Sequence, residues 1–181
     1  MRAKEIIERM HHINDGSRPL FESVAVPEVI HALKDWAREV HDGILIGGLA
    51  MGYHGRPRAT FDVDILFLTP SQIPLHVEGF KRIRPGAFLH KSTHVEVEVL
   101  SPQSINLNPE LAEQVAATAT QSDGIKVASP SGIVALKLQR LKRNDIGDIV
   151  QMIETGHVDL SGFTLSLKNM QDFEEISTRF V

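Results

Sequence analysis

Apolar residues recur along the chain at two periods, and the changes between them mark the elements. Residues 1–15 read as a short helix. Behind Pro27, whose missing N–H costs little in a first turn, Val29, Ile30, Leu33, Trp36, Ala37 and Val40 fall at helical spacing. His41-Asp42-Gly43 ends that helix, and Ile44-Leu45-Ile46 is too short an apolar run to be anything but a buried strand. A helix of under two turns over 49–54 closes at Gly55. A strand over 61–68 stops at Thr69-Pro70, and 71–80 read as a helix despite Pro74. Strands are expected over 87–90, 93–100 and 125–128; the second of these alternates cleanly. Asn108-Pro109 opens a helix through 111–117, and Ser129-Pro130-Ser131 starts a strong one over 133–141, with Ser129 or Ser131 as its cap. Further helices are expected over 145–153, ended by Gly156, and over 159–181, where Leu165, Leu167, Met170 and Phe173 form an apolar stripe. Strands and helices mix without strict alternation, which predicts an α+β (mixed α/β) class. No repeat or linker divides residues 1–181, so one domain is expected, with 129–181 as a helical part packed on it.

Composition narrows this only a little. With 42% hydrophobic and 23% charged residues the chain can bury a core of ordinary size. It has no cysteine, which excludes disulfides, thiolate chemistry and Cys-based zinc sites. The nine histidines show no ligand spacing, and His11-His12 reads as surface. The stretch MRAKEIIERMHHIND has no apolar signal core and no run reaches bilayer length, so a cytoplasmic protein without a membrane role is expected. A net charge of −4 argues against a general nucleic-acid coat, and no DNA partner is expected. The charge is uneven, however. Residues 54–91 hold six Arg/Lys against three acids, and residues 145–181 hold seven acids against two bases. A basic centre with an acidic tail points to a local anion site.

The chemistry concentrates in the stretch ILIGGLAMGYHGRPRATFDVDILF, residues 44–67. On a strand, residues two apart share a face about 7 Å apart, so Asp62 and Asp64 point together while Val63 and Ile65 point into the core. Two carboxylates so placed repel, and a proton or a cation relieves them. Hard oxygens suit Mg²⁺ or Mn²⁺, which take one or two carboxylates plus substrate phosphates. A half-exposed strand with a wet side would carry the same two residues. Gly47-Gly48 joins a buried strand to a helix, lets backbone approach a ligand, and offers N–H groups to an anion; a tight turn with no ligand would read alike. Neither a P-loop nor a dinucleotide fingerprint is present. Between the two elements stand Arg56 and Arg58, with Thr60 next to the acids. A guanidinium can grip phosphate by two bonds, and Arg58 is the nearer to the acids. Downstream, Glu96 and Glu98 again share one face of a strand, opposite Val95, Val97 and Val99.

Gly-Gly, a thirteen-residue spacer and Asp-Val-Asp set among apolar residues resemble the polymerase-beta-type nucleotidyltransferase superfamily. The string GGLAMGYHGRPRATFDVDILF resembles its AbiEii-type toxin branch more closely, through Gly-Gly-x-Ala, His-Gly-Arg and Arg-x-Thr-x-Asp-x-Asp elements; a weaker match runs over 129–153. The resemblance implies a mixed sheet flanked by helices, two Mg²⁺ or Mn²⁺ ions bound with an NTP, and a third carboxylate from a neighbouring strand. Val97-Glu98-Val99-Leu100 matches the family's Val-Asp-apolar-apolar pattern in register, which assigns Glu98, with Glu96 as the alternative. Glutamate replaces aspartate there and is one methylene longer. By resemblance Gly47, Gly48, Arg58 and Lys137 would bind the nucleotide, and Asp62, Asp64 and Glu98 the metal. Asp145 and Asp148 match two acids of the family, which would bind metal, place a base or only cap a helix. The implied reaction moves a nucleoside monophosphate from an NTP to a hydroxyl of RNA, including tRNA, or of protein. The implied setting is a toxin–antitoxin or phage-defence system with a cognate antitoxin protein as partner. Two other readings stand beside it. One is a catalytically inactive nucleotide sensor or partner-binding module on the same fold. The other is an interaction domain whose acidic last helix docks on a basic partner.

Overall fold

The computed structural model describes residues 27–122 and 124–180; the helix expected over 1–15 and the His11-His12 pair lie outside them. Among the described residues, six α-helices and seven strands run in the order α1 (Pro27–Glu39), β1 (Ile44–Ile46), α2 (Gly47–Tyr53), β2 (Asp62–Leu66), β3 (Phe80–Arg84), β4 (Ala87–His90), β5 (Glu96–Leu100), α3 (Pro109–Thr118), β6 (Thr120–Ser122), β7 (Ile125–Val127), α4 (Pro130–Arg140), α5 (Arg143–Ile153) and α6 (Leu167–Phe180). The strands form one mixed sheet in the order β3-β4-β5-β2-β1-β7-β6. Two parallel pairs, β2 with β5 and β1 with β7, are joined through the antiparallel pair β1–β2. The fold is therefore mixed α/β, as the patterning predicts.

The periodicities explain the layers. On β2 and β5, Val63, Ile65, Val97 and Val99 are at most 2% exposed and make one face of the sheet. α1 covers that face; its Trp36, fully buried, meets the rings of Phe80 and Phe88 edge-on, each at 5.3 Å. One hydrophobic core runs without a break from Val29 through the sheet to Ile133, Met152 and Ile176. The C-terminal helices belong to it: α5 and α6 rest on α4, and α4 rests on α2 and α3. Ser129 supplies the cap of α4, its Oγ accepting from Gly132 N at 3.1 Å. No described helix is long and apolar enough to cross a membrane.

Several expectations are corrected. Residues 71–80 are not a helix. A single 3₁₀ turn, Pro70–Gln72, stops where Pro74 removes a donor and its ring would clash with the preceding turn. Edge strand β3 follows instead, of which only Phe80 is buried. The polar strand β6 has no apolar alternation and was not foreseen. The last helix starts only at Leu167. Before it, the Asp159 carboxylate accepts from Ser161 N at 2.9 Å and Gln114 holds both Thr164 N and its hydroxyl, bonds that favour turns over helix. β2 is shorter than expected, leaving Phe61 outside and 52% exposed. Asp145 is not the N-cap of α5. Lys142 is, and Asp145 reaches back to accept from Lys142 N at 2.8 Å; Asp148 stands in the second turn.

Candidate active site

β2 and β5 lie in register, so Asp62 stands opposite Glu96 and Asp64 opposite Glu98. Neighbouring strands are about 4.8 Å apart, closer than residues two apart on one strand. Four carboxylates therefore share the face of the sheet opposite α1. The adjoining strands extend the row: Ile46 of β1 pairs with Asp64, and Ala87 of β4 pairs with Glu98.

The Gly47-Gly48 turn closes one side. Gly47 has φ +71°, a left-handed conformation that favours glycine, and a Cβ there would fall 2.1 Å from Asp64 Oδ2. A Cβ on Gly48 would fall 3.0 Å from Thr60 Oγ1 and 3.1 Å from Arg58 Cζ. The two glycines thus let backbone lie directly on the carboxylate, the hydroxyl and the guanidinium. Thr60, almost fully buried, donates to Asp62 Oδ1 at 3.1 Å and fixes that carboxylate.

Asp64 is the most perturbed of the acids. Burial, then the charges of Asp62 and Glu98, push its pKa up to about 6; Arg140 and Arg58 pull in the opposite direction without cancelling them. A carboxylate held out of water beside two others fits a divalent cation, because the cation removes the repulsion that raises the pKa. Asp62 and Asp64 give such an ion two hard oxygen donors. A third does not converge with them: no group of three His, Asp or Glu side chains among the described residues is arranged around one ion position. The reason lies on β3. Arg84 Nη2 is ion-paired with Glu96 Oε1 and lies 3.6 Å from Glu98 Oε1, so both glutamates face an arginine.

The remaining expected residues divide into three groups. Arg58 stands with the glycines, and its Nε lies 3.2 Å from Asp148 Oδ1, an ion pair out of line for a hydrogen bond. Lys137 is 4% exposed and donates to Asp145 Oδ1 at 3.2 Å and Asp148 Oδ2 at 2.5 Å. Its ammonium, expected at a phosphate, is instead the centre of a buried ion cluster. Arg140 completes that cluster with two bonds of 3.0 Å to Asp145, whose carboxyl is held below the usual range despite burial by these cations and by Lys142 N. Arg56 turns away from the acids, donating to Glu154 O at 2.9 Å and so tying its loop to the end of α5. His54 is the C-cap residue of α2, and its Nε2 meets Ala128 O at 2.7 Å.

Two residues were missed as site residues. Arg140 lies in the last turn of α4, three residues after Lys137. It acts on Asp64 and also lines a cleft of about 560 Å³ with Leu141, Ser166 and Lys168. Arg84 sits between the helix expected over 71–80 and the strand expected over 87–90, and nothing in its spacing announces a partner on β5. The Arg-Pro-Gly hairpin sequence at 84–86 was the one available signal. Among known proteins, the chain matches no protein-family model and no curated sequence.

Proposed function

We propose that this protein is a metal-dependent nucleotidyltransferase of the polymerase-beta type, moving a nucleoside monophosphate from an NTP to a hydroxyl of RNA or protein. One observation carries the reading: Asp62 and Asp64 lie in parallel register with Glu96 and Glu98 while the Gly47 backbone rests against the Asp64 carboxylate. Acids alone would suit many cations. Acids beside a turn that only glycine can make, with two arginines acting on the central carboxylate, suit a cation shared with phosphates. Asp62 and Asp64 would hold Mg²⁺ or Mn²⁺, which when bound neutralises phosphate charge. Thr60 keeps Asp62 in place. The Gly47-Gly48 turn admits a phosphate close to the backbone. Arg58, steadied by Asp148, and Arg140, steadied by Asp145, offset the charge that gathers there; catalysis on this arrangement is positioning and electrostatics. The resemblance to AbiEii-type chains adds a toxin–antitoxin or phage-defence setting, an antitoxin partner and a cytoplasmic location to the proposal.

The test is transfer of label from NTPs to RNA or protein in cell extract with Mg²⁺ or Mn²⁺. Transfer is expected, and Asp62→Ala or Asp64→Ala should abolish it. A second reading, nucleotide binding without transfer, is favoured by the Arg84 contact with Glu96 and Glu98, which leaves the expected third carboxylate paired. It predicts metal-dependent nucleotide binding with no labelled product. Neither binding nor transfer would end both readings.

A further inference from the structure

β3 and β4 pair without interruption from Phe80 opposite His90 to Arg82 opposite Phe88. The next pair is Arg84 with Ala87, so the strand carries one extra residue, Ile83. Without this bulge Ile83 would oppose Ala87. With it, Arg84 takes that position, and Ala87 itself pairs with Glu98. The bulge thus turns Arg84 onto the carboxylate face and into the row that contains Glu98 and Asp64. Bulges re-aim side chains in this way. Ala87, the residue between, has no side chain beyond Cβ, so the guanidinium can cross β4 to reach β5. The hairpin is fixed against β5 as well: Val99 N donates to Gly86 O at 2.7 Å, and a Cβ on Gly86 would fall 2.9 Å from Val99 O.

We propose that Arg84 is a built-in counter-ion for the third carboxylate, a latch that holds Glu98 and Glu96 until a divalent cation at Asp62 and Asp64 competes for Glu98. This deepens the nucleotidyltransferase reading and rests on it. The bulge, the small residue at 87 and the two ion pairs serve one geometry. The latch is weak enough to open, because the Arg84 side chain is 52% exposed and those of Glu96 and Glu98 are 37% and 38%. Arg84 is a positioning residue here: it acts through Glu98.

Mn²⁺ affinity of the full chain, measured by titration calorimetry without nucleotide, tests this. Arg84→Gln should tighten Mn²⁺ by about fivefold, the upper range for an exposed ion pair. Arg82→Gln removes the same charge one position before the bulge and should change affinity by less than about twofold, since exposed charges at longer range are screened. In a Glu98→Gln background the gain from Arg84→Gln should vanish, as a pairwise coupling requires. An unchanged or weaker affinity in Arg84→Gln, an equal gain in Arg82→Gln, or a gain that survives Glu98→Gln overturns the latch while leaving the metal site standing. Mn²⁺ binding that is absent, or indifferent to Asp64→Asn, removes the nucleotidyltransferase reading and the latch with it.

Discussion

Asp64 shows what the site costs the fold. Its carboxyl titrates near 6 instead of 3.8 because burial and the neighbouring acids disfavour its charge. Below about pH 4 both folded and unfolded chains hold the proton, and the residue contributes nothing to stability. Above about pH 6 both have lost it, and only the folded chain bears the burial of that charge and its repulsion by Asp62 and Glu98. Asp64→Asn is therefore expected to stabilise the metal-free protein by about 1–3 kcal/mol at pH 7.5 and hardly at all at pH 3.5. Urea unfolding at the two pH values measures it, and an equal effect at both would show that burial and the neighbouring acids do not disfavour the Asp64 charge in this way. This residue was legible in the sequence, because alternation on a strand is the most direct pattern a chain offers. Asp62 and Asp64 had to share a face once Val63 and Ile65 were buried. Arg84 was not legible, since a bulge shifts facing by one position and leaves no periodic trace.

Among elements, α1 and the β4–β5 turn are joined by a polar staple. His90, 2% exposed, meets Asp35 Oδ2 through Nε2 at 3.1 Å and Thr93 Oγ1 through Nδ1 at 2.7 Å. Asp35 also meets His31 at 3.2 Å and Arg38 at 2.6 Å, both on the exposed side of α1. Asp35→Ala leaves a buried ring nitrogen without its partner and should lower stability by about 1–3 kcal/mol. His31→Ala, at an exposed position, should cost less than about 0.5 kcal/mol. Unfolding midpoints of the two variants decide this, and equal losses would mean that the staple does not depend on His90. The elements themselves were readable where a cap or an apolar stripe was strong, as for α3 behind Asn108-Pro109 and α4 behind Ser129-Pro130. They were misread at 71–80, where Pro74 allows no more than the turn Pro70–Gln72, and at β6, where polar residues pair only because β7 lies alongside.

For the whole molecule, the ion cluster on α4 and α5 ties the helical part to the sheet. Lys137 holds Asp145 and Asp148; Asp148 meets Arg58 next to the Gly47-Gly48 turn. Lys137→Met leaves two buried acids short of a cation and should destabilise the protein by about 3–5 kcal/mol, with part recovered when Asp148→Asn is added. Thermal unfolding without ligand reads this directly. A phosphate ligand would behave in the opposite way, leaving the ligand-free stability unchanged. The acids of this cluster were visible in the sequence, but not that they would turn inward on the lysine: that depends on α5 folding back over α4 through Leu141, whose φ of +35° reverses the chain. The sheet order has a consequence for synthesis. β1 carries the turn that meets Asp64, yet one of its two neighbours, β7, lies some eighty residues further along the chain. Until Ile125–Val127 has left the ribosome, Ile44-Leu45-Ile46 presents an apolar strand with an open edge, so a growing chain depends on late residues to cover one of its earliest strands.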